Sequence, residues 1–440
     1  MPLFGRRKTS EPEATAPGAS PLPGAPLPDE RGLRSVDDHR EYLLSMVHEL
    51  PPFRQQLLDV IDLSICEDVA AALSLPGFDN SAMDGYAVRA ADVERAEQNR
   101  PVVLPVVGEV AAGHSAPHPL APGTAMKIMT GAPMPEGADA VVPYENTDRG
   151  DVDVIVYAAS EYGQHIRRVG EDVTAGTVLY RVGDQLGPRD IGLLAAMGMD
   201  AVLVRPRPRV VVVSTGSELA EPGYLRESDH QIYDSNSFLL AAACRSAGAQ
   251  VYRVGRVGDD PEQVKEVITD QLIRADLILT TGGVSQGDYD VVKQVMPELG
   301  RTDFASLAMQ PGKPQGFGLI GEDEVPIIMM PGNPVSAFVS FEAFVRPVLR
   351  KMMGAVPYVR TEIRCRAAHA MPSVYGRRQF ARGHVSVADD GHRQVSLVGG
   401  HGSHLLADLA RANALVILPE DTDLVGIGDE VGVWMLGDHH

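Results

Sequence analysis

Apolar residues recur along this chain with two different periods, and the places where the period changes mark out its parts. From Ser35 the run SVDDHREYLLSMVHEL sets Val36, Tyr42, Leu43, Met46, Val47 and Leu50 near one face of a helix. Ser35 is placed to cap that helix, and Pro51 and Pro52 to stop it. Between 79 and 182 the helical period gives way to short β-rich runs such as PVVLPVVGEV and DVDVIVYAA, separated by Gly/Pro turns. A second helical patch, GPRDIGLLAAMGM at 187–199, follows, with Pro188 suited to a first turn. We read 35–78 and 183–206 as one small helical or linker domain, with the β-rich module 79–182 inserted in it.

Over 207–356 strands and helices alternate. The runs 209–215, 250–257, 276–281 and 325–330 read as strands, and 235–247, 261–274, 289–299 and 334–353 as helices. Asp260 before Pro261, and Asn333 before Pro334, mark helix starts. Such alternation predicts an α/β domain with a mostly parallel sheet covered on both faces. Residues 357–440 return to short strand-like runs (EIRCRA, RQVSLV, ALVILP) and predict a small C-terminal β-barrel or sandwich. Residues 11–30 hold six prolines among Ala, Gly, Ser and Glu. A segment of that kind buries too little apolar surface to offset its ordering entropy, so 1–34 is expected to be a disordered tail.

Composition narrows the class. A length of 440 residues suggests about three domains. With 39 Lys plus Arg against 59 Asp plus Glu, the net charge of −20 disfavours a general binder of nucleic acid or anionic membrane. Cys66, Cys244 and Cys365 are far apart and form no C-x-x-C pair, which argues against a disulfide scaffold or a thiolate zinc site. No apolar run approaches the ~18 residues of a membrane span. The basic start MPLFGRRKTS lacks the apolar stretch of a secretory signal. A cytoplasmic location is therefore expected.

Candidate chemistry gathers at strand ends. The segments VVVSTGSEL, ILTTGGVSQGDYD and IIMMPGNPVSAF each leave a strand through a glycine loop. In open α/β sheets the ligand crevice lies beyond the carboxyl ends of the strands. Gly216, Gly282, Gly283 and Gly332 let backbone approach a ligand there, and free N–H groups at helix starts favour phosphate. The segment MQPGKPQGFG (309–318) reads as a further loop, and its Lys313 is a candidate cation. Glu218 follows the first of these loops, Asp259 and Asp260 follow the strand 250–257, and Asp288 and Asp290 lie in the TTGGVSQGDYD loop. Carboxylates at adjacent strand ends suit Mg²⁺, which takes one or two of them together with phosphate oxygens. Asp260 already has work as a helix cap. The P-loop and G-x-G-x-x-G patterns are absent, so ordinary nucleotide hydrolase and dinucleotide readings lose ground. In the β module, PGFDNSAMDGYAVRAAD, KIMTGAPMPEGADAVVPYE and HIRRVGEDV are dense in specific polar groups.

Seven of these segments, FDNSAMDGYAVR, IMTGAPMPEGADAVV, RRVGED, STGSEL, TTGGVSQGDYD, PGKPQGFG and PGNPVSA, occur in the order found in the MoeA/gephyrin E-domain family. The resemblance runs from about Ser35 to the C-terminus. It implies four domains per subunit, with a MogA-like α/β domain, and an elongated homodimer. In the family the active cleft joins the α/β domain of one subunit to the β module of the other. It implies a molybdopterin molybdenumtransferase, inserting molybdate into adenylyl-molybdopterin with Mg²⁺ and giving molybdenum cofactor and AMP.

Site residues carry over by motif. The family's acidic positions match Asp84, Asp172, Glu218, Asp259 and Asp290, with Glu218 and Asp290 expected to hold the metal. Its threonine and arginine match Thr130 and Arg167. Binding positions match Gly216, Gly282, Gly283, Ser285, Lys313, Pro331, Gly332, Pro334, Arg382 and Ser403. Where related bacterial enzymes carry two more lysines before P-G-K-P, this chain has Ser306 and Gln310. The resemblance also carries an alternative, a gephyrin-like dimeric scaffold docking a short peptide of a membrane or cytoskeletal partner. The residues alone leave open a third reading, a hydrolase acting on a nucleotide phosphate.

Overall fold

The computed structural model describes residues 22–114, 116, 118–284 and 290–437. Its contacts divide the chain into two compact units, one of 55–61 and 65–202, the other of the remainder.

In the first unit a five-stranded sheet runs in the order Ala140–Pro143, Gly85–Val88, Ala125–Ile128, Val102–Val110, Asp153–Val156. Tyr86, Val88, Val142 and Val154 fill one core cluster, while Ala87, Met126, Ile128 and Val141 fill another. Neighbouring residues of one strand thus serve opposite faces, as the strand period requires. Pro188–Ala196 forms the second expected helix, with Pro188 in its first turn and Asp190 accepting from the Gly187 N–H at 2.7 Å.

In the second unit six strands form one sheet in the order Gln250–Val257, Arg209–Thr215, Leu277–Thr281, Val325–Met330, Pro314–Ile320, Gly300–Ser306. The first four are parallel. The last two join antiparallel. Val210, Val212, Leu277, Leu279 and Ile328 point into one core with the helices Asn236–Ser246 and Pro334–Ser340. Val211, Val213, Ile278, Ile327 and Met329 point into another with Pro261–Gln271 and Val291–Leu299. The sheet is therefore buried on both faces, which is why its strands read as unbroken apolar runs rather than alternating ones. Asp260 caps as expected, accepting from the Glu262 N–H at 3.1 Å.

The strands Ile363–Ala367, Arg378–Val387, Arg393–Leu397, Ala414–Leu418 and Glu430–Met435 close into a five-stranded barrel, because Arg378–Val387 pairs with both Arg393–Leu397 and Ala414–Leu418. The barrel, not the sandwich, is the structure of this region. Cys66, Cys244 and Cys365 form no disulfide with one another. No described helix is long and apolar enough to cross a membrane.

Three expectations need correction. The segment 309–318, read as a loop, contributes the strands Met309–Gln310 and Pro314–Ile320. Gly316 and Gly318 look like loop residues, yet a Cβ on them would meet Phe304 at 2.8 Å and Thr302 at 2.9 Å, so they make room for the neighbouring strand.

By its contacts Pro188–Ala196 falls in the first unit, whereas the helix Val36–Met46 falls in the second. Its Val36, Tyr42 and Leu43 pack in one cluster with Phe317, Phe344 and Leu349, beside the α/β sheet. The expected tail is also shorter than 1–34, since Leu22, Leu33 and Arg34 are buried. Arg34 bridges the 306–308 strand end by backbone bonds to Ser306 and Ala308, both 2.8 Å. The proline-rich residues up to 21 lie outside the described residues.

His39, on the buried face of that first helix, sits 3.2 Å from the Arg34 guanidinium and edge-on to Phe344. Burial, then the Arg34 charge, push its pKa from 6.5 down to about 3. The folded protein thus takes up this proton only near pH 3, whereas the unfolded chain takes it up near 6.5. Between those values the unfolded state holds more protons, so stability rises with pH across the window and is lost as pH falls through it. His39→Leu is expected to flatten that acid limb. Denaturation midpoints of both proteins from neutral pH downwards would measure it, and identical slopes would contradict it.

Candidate functional site

The four parallel strands deliver their carboxyl ends to one edge of the sheet, and a cavity of about 290 Å³ opens there. Ser214, Thr215 and Glu218 line it from the first strand loop, Thr281 and Gly282 from the next, and Gly332, Asn333 and Pro334 from the third. Asp234, Asn236 and His404 also line it, beside Leu219, Ile232, Tyr233 and Ser235.

The loops are tied together. The Gly216 N–H donates to Val257 O at 3.0 Å, and the Gly282 N–H to Met330 O at 3.1 Å. Asn236 Nδ2 donates to Thr281 Oγ1 at 2.9 Å and to Gly332 O at 2.7 Å, so one side chain spans two loops. Thr281 Oγ1 in turn donates to Pro331 O at 3.2 Å. Asp234 is fully buried on its side chain and accepts from Ser214 Oγ, the Ser237 N–H and Ser237 Oγ. It is a scaffold acid rather than a reacting one. The glycines are needed for space. At Gly282 (φ +97°) a Cβ would stand 2.8 Å from Thr215 O, and at Gly216 (φ +145°) it would strike the Glu218 carboxylate.

The predicted residues separate into those that meet here and those that do not. Glu218, Gly216, Gly282, Pro331, Gly332 and Pro334 line the cavity or lie in the loops that form it. Asp259 braces the first loop, accepting from the Ser217 N–H at 2.9 Å and Ser217 Oγ at 2.6 Å. Gly283 follows Gly282, with Val292 against the place of its Cβ. Ser403 accepts from the Val335 N–H at 3.1 Å through its carbonyl, while the neighbouring His404 faces the cavity.

Asp290 is the N-cap residue of the helix Val291–Leu299, its carbonyl accepting from the Gln294 N–H at 3.1 Å. Ser285 and Asp288 lie outside the described residues. Among the described residues, no three His, Cys, Asp or Glu side chains converge as a metal cage. Lys313 does not line this cavity; its carbonyl accepts from the Leu307 N–H at the turn between the two antiparallel strands.

Arg382 is buried in the barrel, donating to Gly402 O at 2.9 Å and to Gly400 O. Burial lowers its pKa, opposed by Asp408. It borders a second, smaller cavity of about 30 Å³ with Gln310, Gly399 and His401. Asn236 and His404 were missed by sequence reasoning. The signal for His404 was its place beside Ser403 in GHGSH; Asn236 had none beyond a polar cluster at a helix start.

In the first unit the polar motifs also converge. Gly131 N–H donates to Ser81 O, Ala82 N–H donates to His165 O, and Asn80 pairs with Arg167. Those contacts gather the loops that carry Asp84, Thr130 and Arg167, all three exposed. Asp84 Oδ1 accepts from both the Thr130 N–H and Thr130 Oγ1 at 2.7 Å. The backbone bond, then the hydroxyl, lower the Asp84 pKa, because both stabilise its charged form. Asp172 is exposed in the following turn, where its N–H donates to Leu75 O at 3.0 Å. Asp79, which the sequence did not single out, binds Arg168 at 2.6 Å and the Val169 N–H at 2.8 Å, fixing the segment on which Arg167 sits. Thr130→Val is expected to raise the Asp84 pKa towards its ordinary value by removing one of the two donors. An NMR titration of the Asp84 carboxyl would read this, and an unmoved titration would show the hydroxyl is not donating.

These features define a multidomain α/β protein with a glycine-lined crevice at the carboxyl edge of a parallel sheet and a closed barrel in the same chain. Residues 34–198 match the description "MoeA N-terminal region (domain I and II)", 211–351 "Probable molybdopterin binding domain", and 364–436 "MoeA C-terminal region (domain IV)". Molybdopterin molybdenumtransferase 2 of Mycobacterium tuberculosis is 44% identical over 410 residues, covering 92% of this chain and 100% of that protein. The molybdopterin molybdenumtransferase of a Nostoc species is 35% identical, over 93% of this chain and 96% of its own. Among solved structures, the molybdopterin biosynthesis MoeA protein of Pyrococcus horikoshii OT3 has a TM-score of 0.74 at 30% identity, covering 92% of this chain and all of that one. The chain belongs to the MoeA family.

Proposed function

We propose that this protein is a molybdopterin molybdenumtransferase, inserting molybdenum from molybdate into adenylyl-molybdopterin and releasing AMP. The observation that carries the reading is the strand-end cavity with Glu218 in its wall, in a chain 44% identical over 410 residues to a relative of that name. A crevice of backbone amides and small residues suits phosphate oxygens. Asn236 and Asp259 hold its loops in place, so the amides are positioned before the ligand arrives.

Oxygen donors of this kind suit Mg²⁺, which binds through one or two carboxylates together with phosphate oxygens. Glu218 offers such a carboxylate to the cavity, and Asp290, at the start of the helix Val291–Leu299, would be the second. When bound, Mg²⁺ would neutralise phosphate charge and polarise the bond to AMP.

In the β module Arg167 is the donor we assign to the oxyanion. The Thr130 hydroxyl gives its hydrogen to Asp84, so these two fix the turn rather than hold molybdate directly. We further propose a homodimer in the cytoplasm, which sedimentation analysis would test as twice the subunit mass. Expression in a cell lacking its own insertase is expected to restore molybdoenzyme activity. Folded protein that leaves those enzymes inactive would count against the function.

A further inference from the structure

Glu218 reaches the strand-end cavity from a loop, and that loop is gripped from the edge of the sheet. Just after Glu218, Leu219–Ala220 pairs in parallel with Ile232–Tyr233. The Ile232 N–H donates to Glu218 O and the Asp234 N–H to Ala220 O, both at 2.9 Å. Glu218 and Asn236, both in the cavity wall, flank this short ladder.

The grip comes from Gln250–Val257, the edge strand of the sheet. This strand carries a bulge: Val212 faces Arg253 and Val213 faces Gly255, so Val254 is the extra residue. Bulges re-aim the side chains beside them. Here Arg253 and Arg256 both reach the Glu218 loop. Arg256 Nη1 donates to Leu219 O at 3.0 Å. Arg253 Nη2 donates to Glu221 Oε1 and its Nη1 to Glu221 Oε2 at 3.0 Å, so one guanidinium clasps both carboxylate oxygens. The same Nη1 donates to Ser237 Oγ at 3.2 Å, and Ser237 Oγ in turn donates to Asp234. Asp234 is wholly buried, and a buried carboxylate needs donors and a cation; Arg253 Nη1 stands 4.0 Å from its Oδ2. The guanidinium carbon also lies over the Phe238 ring, 4.1 Å from its centre. Arg253 does not itself line the cavity.

We propose that Arg253 is a positioning residue for the strand-end site: by tying Glu221 to the Ser237–Asp234 pair it fixes the loop that presents Glu218. The clamp stands on its own geometry, while its effect on rate rests on the proposed reaction. A guanidinium suits this place because its planar fork serves two carboxylate oxygens and a hydroxyl together, which the point charge of an ammonium does not. Without it the loop is free to shift, and a misplacement of about 1 Å at a reacting group costs about a hundredfold in rate.

The test takes the full chain as wild type, Arg253→Met, Arg253→Lys, Glu221→Gln and Arg209→Met. Arg209 makes the same kind of two-pronged pair, with Asp276, at the amino end of the sheet, so its loss is the control for a merely structural role. Hydrogen exchange should show the Ile232 and Asp234 amides opening roughly tenfold faster in Arg253→Met, and unchanged in Arg209→Met. Turnover should fall roughly tenfold to a hundredfold in Arg253→Met through kcat rather than KM, recover in part in Arg253→Lys, and stay at the wild-type value in Arg209→Met. Added to Glu218→Gln, Arg253→Met should cost little more, because it acts through that carboxylate. Glu221→Gln breaks the same clasp at a part-exposed residue and should move exchange and kcat in the same direction, which keeps the test open if Arg253→Met does not fold. Unchanged exchange in the clasp variants would overturn the clamp whatever the activity. A fall in kcat that multiplies fully with that of Glu218→Gln, or an equal fall in Arg209→Met, would overturn the positioning role. A wild type without turnover would count against the proposed reaction, and exchange would then decide the clamp.

Discussion

Replacing Asp303 with alanine is expected to destabilise the protein by about 3–5 kcal/mol, the usual cost of leaving one member of a buried ion pair alone. Asp303 receives Arg34 Nη1 at 2.6 Å and Nη2 at 3.2 Å, and the two side chains are 16% and 6% exposed. Without the carboxylate, a guanidinium would remain buried between His39 and Tyr42, with its Nε already lacking a partner. The effect should spread beyond the pair, because Arg34 also fixes the strand end at Ser306 and Ala308 by its backbone. The double variant Arg34→Met/Asp303→Leu should recover most of the loss, since it removes both charges and keeps apolar volume. Urea unfolding of the three proteins measures the loss and its recovery. A single variant as stable as the wild type would mean that water already serves the pair.

Glu218→Gln should leave the fold intact and lower turnover by about two orders of magnitude, the scale on which one well-placed electrostatic group acts. The substitution keeps the shape of the side chain. The loop is also held by bonds that do not involve the carboxylate, among them Ile232 N–H to Glu218 O at 2.9 Å and the Asp259 bonds to Ser217. What changes is the charge facing the cavity. If Glu218 helps hold Mg²⁺, the variant should also need more Mg²⁺ for half-maximal rate. Full turnover at wild-type Mg²⁺ would remove Glu218 from the reaction.

The parallel sheet was legible because its physics is local. Strands buried on both faces must be apolar at every position, as Val210 to Val213 are, and Asp260–Pro261 marks a helix start by capping chemistry alone. The antiparallel edge was not legible, because Gly316 and Gly318 carry no side chain to show a period; their reason lies in Phe304 and Thr302 on another strand.

The fate of the first helix was equally non-local. Its apolar face was visible, but nothing in that face says which core receives it. In the site, motif spacing located the three strand loops and the Asp84–Thr130 pair. It missed Asn236 and His404, whose roles come only from what folds against them. Of the other expected binding residues, Lys313 lies off the strand-end cavity and Arg382 donates to barrel carbonyls, so that cavity bears on neither of them.

The most direct measurement is turnover by the purified full chain supplied with adenylyl-molybdopterin, Mg²⁺ and molybdate. Formation of molybdenum cofactor with release of AMP is the predicted result, and it should fall together in Glu218→Gln. Folded wild-type protein that yields neither product would contradict the proposed function.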